Sequence, residues 1–325
     1  MGNQRTVICW NFERNGKDDP QLRRLAHELV AQHRPHLVLR QEMWGADENG
    51  ATVKYELEEI LGMRGWLGPR SCTAVFADQS VFRTVREWPQ TGPMWVLPPT
   101  ALTMRYLPAG RDALPLIVSS FHLNYASGTI RVAETEWLTT WADKRWTTAG
   151  GASVRIPALL GGDTNSYPEP SGLEEPTLPE LDRIRDEPHR AHRSYPGTKG
   201  RRMDTRPDEI LRTAGLSDVA VHRADRPGGS VAALAPTVDA CETHGPDARI
   251  DRVYVTDELL PAITDMDVIR IGPEMSDHHL VRVSLDGDRL ADVLNRPPND
   301  LGVTAVESTM PQRPEVTSAA SSTTV

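Results

Sequence analysis

The sequence predicts an α/β fold: two packed β-sheets forming a sandwich with helices on the outside. Three observations carry that expectation. Short apolar runs recur with too few helical stretches between them for a simple doubly wound sheet. Both ends of the chain contribute similar strand-loop units, so the termini belong to the same architecture. Finally, the residues able to do chemistry sit where apolar runs end and loops begin, which is where α/β proteins keep their sites.

In chain order, Thr-Val-Ile-Cys-Trp at 6–10 reads as a strand. A helical pattern follows at 20–33, with Leu22, Leu25, Leu29 and Val30 on one face. Pro35 stops it before the strand-like run His-Leu-Val-Leu-Arg-Gln-Glu at 36–42. After an amphipathic stretch at 55–61, short strands are expected at 73–77, 101–107 and 116–122. The 131–143 stretch reads as helix, 156–160 as a buried strand ending in Gly161-Gly162, and 210–214 as a short helix. Strands at 250–255 and 280–285 complete the pattern. The 167–207 segment is rich in Pro, Glu, Arg and His without apolar periodicity and reads as a long surface insertion. The expected organisation is one large domain, 1–295, and a Pro/Ser/Thr-rich tail, 296–325, too poor in apolar residues to offset its ordering entropy. There is no internal repeat.

Of the 325 residues, 38% are hydrophobic and 25% charged, the composition of an ordinary globular protein with no apolar run long enough for a bilayer. The N-terminus runs straight into the first strand with no leader pattern, which points to the cytoplasm. Met1-Gly2 with Thr6 matches part of a myristoylation signal, but no second anchoring signal accompanies it. Three cysteines without metal-ligand spacing suit a reducing compartment. Cys241 and His244 have the gap of half a zinc site, but without a second half a loop is the better reading. A net charge of −9 opposes broad, sequence-blind binding to nucleic acid while leaving room for a local basic patch.

Asn11 follows the first strand and Glu42 the second, so both emerge at strand ends, although a lone Glu42 is more often a solvated strand-end acid. His122 closes Leu-Ile-Val-Ser-Ser-Phe, and Asp163 and Asn165 follow Gly-Gly, where the backbone can approach a ligand or simply make an Asx turn. Asp251 lies inside a strand pattern, which a core tolerates only when a partner or metal compensates the charge. Asp277, His278 and His279 stand together before the last strand, and a trio of this kind is hard to dismiss as a solvated loop.

Taken in order, Trp-Asn-Phe-Glu-Arg-Asn-Gly, Leu-Arg-Gln-Glu, Ser-Phe-His-Leu, Gly-Gly-Asp-Thr-Asn, Arg-Ile-Asp-Arg-Val-Tyr-Val and Ser-Asp-His-His-Leu-Val resemble the endonuclease/exonuclease/phosphatase superfamily, the deoxyribonuclease-I-like fold. The motifs run from Asn11 to about Val283 and so cover nearly the whole expected domain. The resemblance implies a four-layer α/β sandwich, two mixed sheets flanked by helices, with the active site at one edge of the sheets. It implies a Mg²⁺-dependent hydrolase in which Glu42 is the main metal ligand, helped by Asn11 and Asp277; Mn²⁺ could substitute. A hard ion of this kind prefers a few carboxylate oxygens and keeps several waters. By the same resemblance, Asp163 orients or deprotonates the attacking water, Asn165 holds a non-bridging phosphate oxygen, His278 contacts the scissile phosphate and Asp251 fixes its tautomer. His122 resembles the second histidine of the deoxyribonuclease and sphingomyelinase branches, and His279 is only a neighbour. The chain departs from the abasic-site endonucleases, which carry Tyr-x-Pro-Asn where this one has Phe-His-Leu-Asn-Tyr. The glutamate that partners the first histidine in deoxyribonuclease-like members cannot be found in the sequence.

The metal centre is shared by several chemistries, so substrate class rests on the surrounding loops. Between 183 and 206 the chain holds eight basic residues (Arg183, Arg185, Arg190, Arg193, Lys199, Arg201, Arg202, Arg206) against Asp186, Glu187 and Asp204. This local patch could grip a polyanion beside the site, or be a solvated loop. The expectation is a nuclease or related phosphodiesterase; the alternatives are a phosphatase or phosphodiesterase for a small-molecule, inositol or lipid phosphate ester, and an inactive member that only binds.

Overall fold

The computed structural model describes residues 3–90, 92–173 and 178–296; the expected tail, 296–325, lies outside them but for its first residue. In chain order the strands are β1 (Gln4–Asn11), β2 (Leu37–Gln41), β3 (Arg64–Leu67), β4 (Thr73–Ala77), β5 (Phe82–Glu87), β6 (Thr100–Tyr106), β7 (Leu116–His122) and β8 (Arg145–Thr147). They continue with β9 (Ser153–Arg155), β10 (Ala158–Asp163), β11 (Ser194–Gly197), β12 (Gly200–Met203), β13 (Leu216–Asp218), β14 (Asp251–Thr256), β15 (Ile263–Ile269) and β16 (Leu280–Asp286). Twelve of them form two mixed six-stranded sheets, β15-β16-β1-β2-β4-β3 and β13-β14-β10-β7-β6-β5, and the rest form two small hairpins. The expected sandwich is therefore present, with the first and last described strands meeting in one sheet, where β1 pairs antiparallel with β16 and parallel with β2.

Period-two alternation builds the layers, because successive strand side chains face opposite sides. Val7 and Cys9 of β1 join Leu39, Val118, Leu159 and Val253 between the sheets. Ile8 and Trp10 point the other way and pack with Ala26 and Val30 of the helix Pro20–Gln32 and Leu57 of the helix Glu48–Leu61. On the far side, Ile117, Leu160 and Tyr254 meet Leu138 of the helix Gly128–Thr139 and Leu211 of the helix Arg206–Thr213. The first helix starts cleanly because Asp19 caps it, accepting from the amides of Gln21 and Leu22, and Pro20 occupies its first turn.

Gly161 and Gly162 lie inside β10 rather than in a turn that approaches a ligand. Their role is close packing. A Cβ on Gly161 would come within 2.6 Å of Leu39 from the opposite sheet, and one on Gly162 within 1.8 Å of the Phe121 carbonyl oxygen on β7. The second obstacle is backbone and cannot move aside. Gly162→Ala should therefore destabilise the protein by more than about 3 kcal/mol, or prevent folding, whereas Gly161→Ala, opposed by a mobile methyl, should cost less. Urea unfolding of the two variants checks the order.

Within the 167–207 range, residues 178–207 are described without a break. The range contains the helix Glu187–His192 and the β11–β12 hairpin, and Tyr167, Ile184 and Met203 form a small buried cluster beneath them. Among the described residues no helix is long and apolar enough to cross a membrane.

Candidate active site

Strand register places the first group of polar residues. Asn11 sits opposite Gln41 where β1 and β2 end, and Glu42 follows directly. In the second sheet, Asp163 lies between His122 on one neighbour and Asp251 on the other. Two acids facing each other on adjacent strands repel unless cations intervene, and here two imidazoles do. His122 Nε2 is 3.4 Å from Asp163 Oδ2, and His278 Nδ1 is 2.8 Å from Asp251 Oδ2.

All eight sequence-selected residues converge. Asn11 Nδ2 donates to Glu42 Oε1 and to Asp163 Oδ2, both at 3.1 Å, and so joins the two sheets. Glu42 takes a positive φ of 57°, and its Oε2 accepts from the Arg14 amide at 2.7 Å. The Asx turn weighed at Asp163 is real, since Oδ1 accepts from the Asn165 amide at 2.7 Å, but Oδ2 remains directed at Asn11 and His122. Asn165 donates to the Leu123 carbonyl at 2.9 Å. The Ser276 hydroxyl accepts from the His278 amide, and Trp10 Nε1 donates to the His278 carbonyl, which fixes the imidazole over Asp251. Asp277 is exposed at the rim. His279 turns away into the loop, with Nδ1 accepting from the Ile271 amide and Nε2 against Asp239. Glu42, His122, Asp163, Asn165, Asp277 and His278 line one pocket of about 430 Å³.

The charges are mutually dependent. Burial alone would lower the His278 imidazole, but Asp251, aided by Asp163 and Asp277, overrides it and lifts the group to about 10. Burial would raise Asp163, yet His122, His278 and Arg193 hold it far below the usual carboxylate range. His122 moves up, because Asp163 and Glu42 outweigh its burial. At neutral pH the pocket thus holds ionised Asp163 beside the His278 imidazolium, with His122 shifted toward its protonated form.

A divalent cation fits the donor set. Asn11 Oδ1 is buried without a hydrogen-bond partner beside the Glu42 carboxylate, an orphaned hard oxygen next to an acid. Asp163, Asp251 and His278 also bring ligand atoms within 4.8 Å of one another. The Asp251–His278 hydrogen bond engages two of those three with each other; at the other corner Glu42 accepts only from neutral amides, those of Asn11 and Arg14, and Asn11 Oδ1 has no partner among the described residues.

Of the further contributors, Arg193 is named in the sequence only as one charge of the basic run, and Tyr125, Thr237 and Glu134 are not singled out there. Arg193 lines the pocket from the 167–207 segment, and Tyr125 stands at its mouth, 59% exposed. The Thr237 hydroxyl accepts from the amides of Ile250 and Asp251 and sets the entry to β14. The missing glutamate beside His122 has an explanation. Glu134 is buried near it, but its carboxylate accepts from the amides of Asn124 and Val96, and burial pushes it up to about 7. His122 Nδ1 is left without a partner. The only signal for Glu134 was its place on a helix, which does not reveal what its oxygens meet.

The basic run divides. Arg185 pairs with Glu242, Arg190 with Glu187 and Arg206 with Asp204, while Arg201 donates to the carbonyls of Ala191 and Ser194. Of this run, Arg193 and the neighbouring His189 reach the pocket.

Two mixed sheets packed face to face, with acids and imidazoles gathered at the strand ends, define the deoxyribonuclease-I-like class of α/β sandwich. The chain belongs to the Endonuclease/Exonuclease/phosphatase family, whose model matches residues 9–278. Comparison with curated proteins finds no match. Among solved structures, an AP endonuclease from Archaeoglobus fulgidus superposes with a TM-score of 0.58 at 12% identity, covering 87% of this chain and 99% of that one. An endonuclease/exonuclease/phosphatase family protein from Bacteroides thetaiotaomicron gives 0.55 at 16%, covering 88% and 95%. TDP2 from D. rerio, complexed with a single-strand DNA product, gives 0.54 at 15%, covering 87% and 98%. At these identities the likeness concerns the fold.

Proposed function

We propose that this chain is a divalent-metal-dependent phosphoesterase, a nuclease or related phosphodiesterase that hydrolyses its substrate by in-line attack of water on phosphorus. The observation that carries the proposal is Asp163, an ionised carboxylate held between Asn11, His122 and Asn165 in a pocket also lined by His278, which is hydrogen-bonded to the buried Asp251. Family membership supports it, since members are generally phosphoester hydrolases. The two similar structures named for acting on or holding DNA favour the phosphodiester arm.

In this reading Glu42, Asn11 through its orphaned Oδ1, and Asp277 hold Mg²⁺, with Mn²⁺ a substitute. When bound, the ion neutralises charge on the phosphate oxygens. Asp163 accepts a hydrogen bond from the attacking water and aims it. So low an affinity for protons suits orientation better than proton removal. Asn165 and the His278 imidazolium hold the non-bridging oxygens, where charge grows in the transition state. Asp251 keeps His278 protonated and fixes the ring. His122, whose proton affinity Asp163 and Glu42 raise and which lines the pocket, is the residue to give a proton to the leaving oxygen.

The test is a metal-supplemented assay across plasmid DNA, single-stranded RNA, bis-p-nitrophenyl phosphate and inositol phosphates. Hydrolysis of a diester that disappears with chelator is expected. Turnover of inositol phosphates alone would move the assignment to a small-molecule phosphatase, and inertness on all four would sink the enzymatic reading.

A further inference from the structure

Arg193 is 7% exposed, and its guanidinium donates from Nη2 to Asn165 Oδ1 at 2.7 Å. That partner is a neutral amide. Among the described residues no carboxylate pairs with Arg193, and its Nε is buried with no hydrogen-bond partner. The other buried arginines are matched differently: Arg131 to Asp204, Arg249 to Asp218 and Arg252 to Asp208. Arg40, which also has no carboxylate partner among the described residues, spends its Nη1 on the carbonyls of Trp10 and Gln41, lies over the Trp10 and Phe12 rings and does not line the pocket. A nearly buried guanidinium without a countercharge is costly unless something anionic completes it. Arg193 alone among these lines the candidate site.

Its placement is rigid. The Arg193 amide donates to the His189 carbonyl at the end of the helix Glu187–His192, and its carbonyl accepts from the Asp204 amide. Arg131 braces the same corner, donating to the His192 carbonyl at 2.5 Å and pairing with Asp204. The wall beside it is the stacked His189–His244 ring pair, with centroids 4.0 Å apart. Burial and the Arg193 charge lower both imidazoles, so they offer no competing cation. The segment therefore delivers one fixed guanidinium, within the field of Asp163 but with no ion-pair partner among the described residues, to the position of Asn165.

We infer that Arg193 is a substrate-anion residue, its fork taking a non-bridging oxygen of the phosphate group bound beside Asn165. The inference rests on the phosphoesterase reading for the identity of the anion as an ester. It gives the 167–207 segment a direct part in substrate affinity, through a donor geometry that matches phosphate.

The test measures binding apart from turnover. Calorimetric titration of the full chain with inorganic phosphate, with and without Mg²⁺, is compared for wild type, Arg193→Gln and Arg193→Lys. Arg193→Gln should weaken phosphate about tenfold and raise KM for bis-p-nitrophenyl phosphate by a similar factor, as expected for one lost charge-assisted hydrogen bond. Arg193→Lys, which keeps the charge without the fork, should fall between. Should Arg193→Gln fail to fold, Arg193→Lys decides, and phosphate affinity equal to wild type would overturn the inference. A positioning role through Asn165 is separated by repeating the substitution in an Asn165→Ala background. A further loss there supports direct contact, and no further loss overturns it. Wild type that binds phosphate through Arg193 yet hydrolyses no ester would sink the phosphoesterase reading and leave the anion site standing. Hydrolysis with phosphate affinity unchanged by the substitution would do the reverse.

Discussion

Replacing Glu42 by Gln should lower metal-dependent hydrolysis by about 10²–10³-fold, the equivalent of several kcal/mol of lost charge stabilisation in the transition state. The amide keeps the size of the side chain and can still accept from the Arg14 amide, so the loop around Glu42 should hold its shape. What disappears is a formal negative charge beside the orphaned Asn11 oxygen, the corner of the pocket best suited to a hard cation. The physical consequence is separable from folding. Titration of Mg²⁺ into the variant should show markedly weaker binding at unchanged thermal stability of the metal-free protein. Activity at wild-type level, or full Mg²⁺ affinity without the carboxylate, would place the ion elsewhere, with the Asp163, Asp251 and His278 group the next candidate.

What the sequence disclosed follows from where information is local. Short apolar runs bounded by turn signals were legible as strands: 73–77 and 116–122 coincide with β4 and β7, and the helix expected at 20–33 ends one residue earlier. The edge strands β3, β5 and β15 were not, because an edge carries mixed exposure and a weak period; Phe82–Glu87, for example, has a single buried residue. The helix Gly128–Thr139 begins three residues before the expected 131–143 because Ser127 caps it, accepting from the Ile130 amide. At the site, residues at the ends of apolar runs were found, since strand register alone brings them together. Arg193 was visible only as one charge among eight. Nothing local separates it from Arg201, whose guanidinium is spent on carbonyls, until the helix and hairpin that carry them are folded.

The second large effect concerns the Asp251–His278 pair. His278→Ala should reduce hydrolysis of an activated phosphodiester by roughly 10²–10⁴-fold through loss of acid–base and electrostatic help at the phosphate. A loss well below a hundredfold would remove the residue from the reaction. The pair should also leave a signature in stability, measurable in metal-free protein and independent of turnover. The folded-state value for His278, about 10, lies above the ordinary imidazole value of 6.5. A raised value means that the folded protein holds the proton more tightly than the unfolded chain, so the contribution is complete below about pH 6.5. It declines as pH rises through about 10. Because His278 is buried against Asp251 at 2.8 Å, its share is on the order of 2–4 kcal/mol. Wild type should therefore lose stability to urea between pH 6.5 and 10 relative to Asp251→Asn, in which the neutral amide cannot hold the imidazolium. Parallel pH profiles for the two proteins would mean that the proton is not shared across this contact, and that Asp251 serves β14 rather than the imidazole.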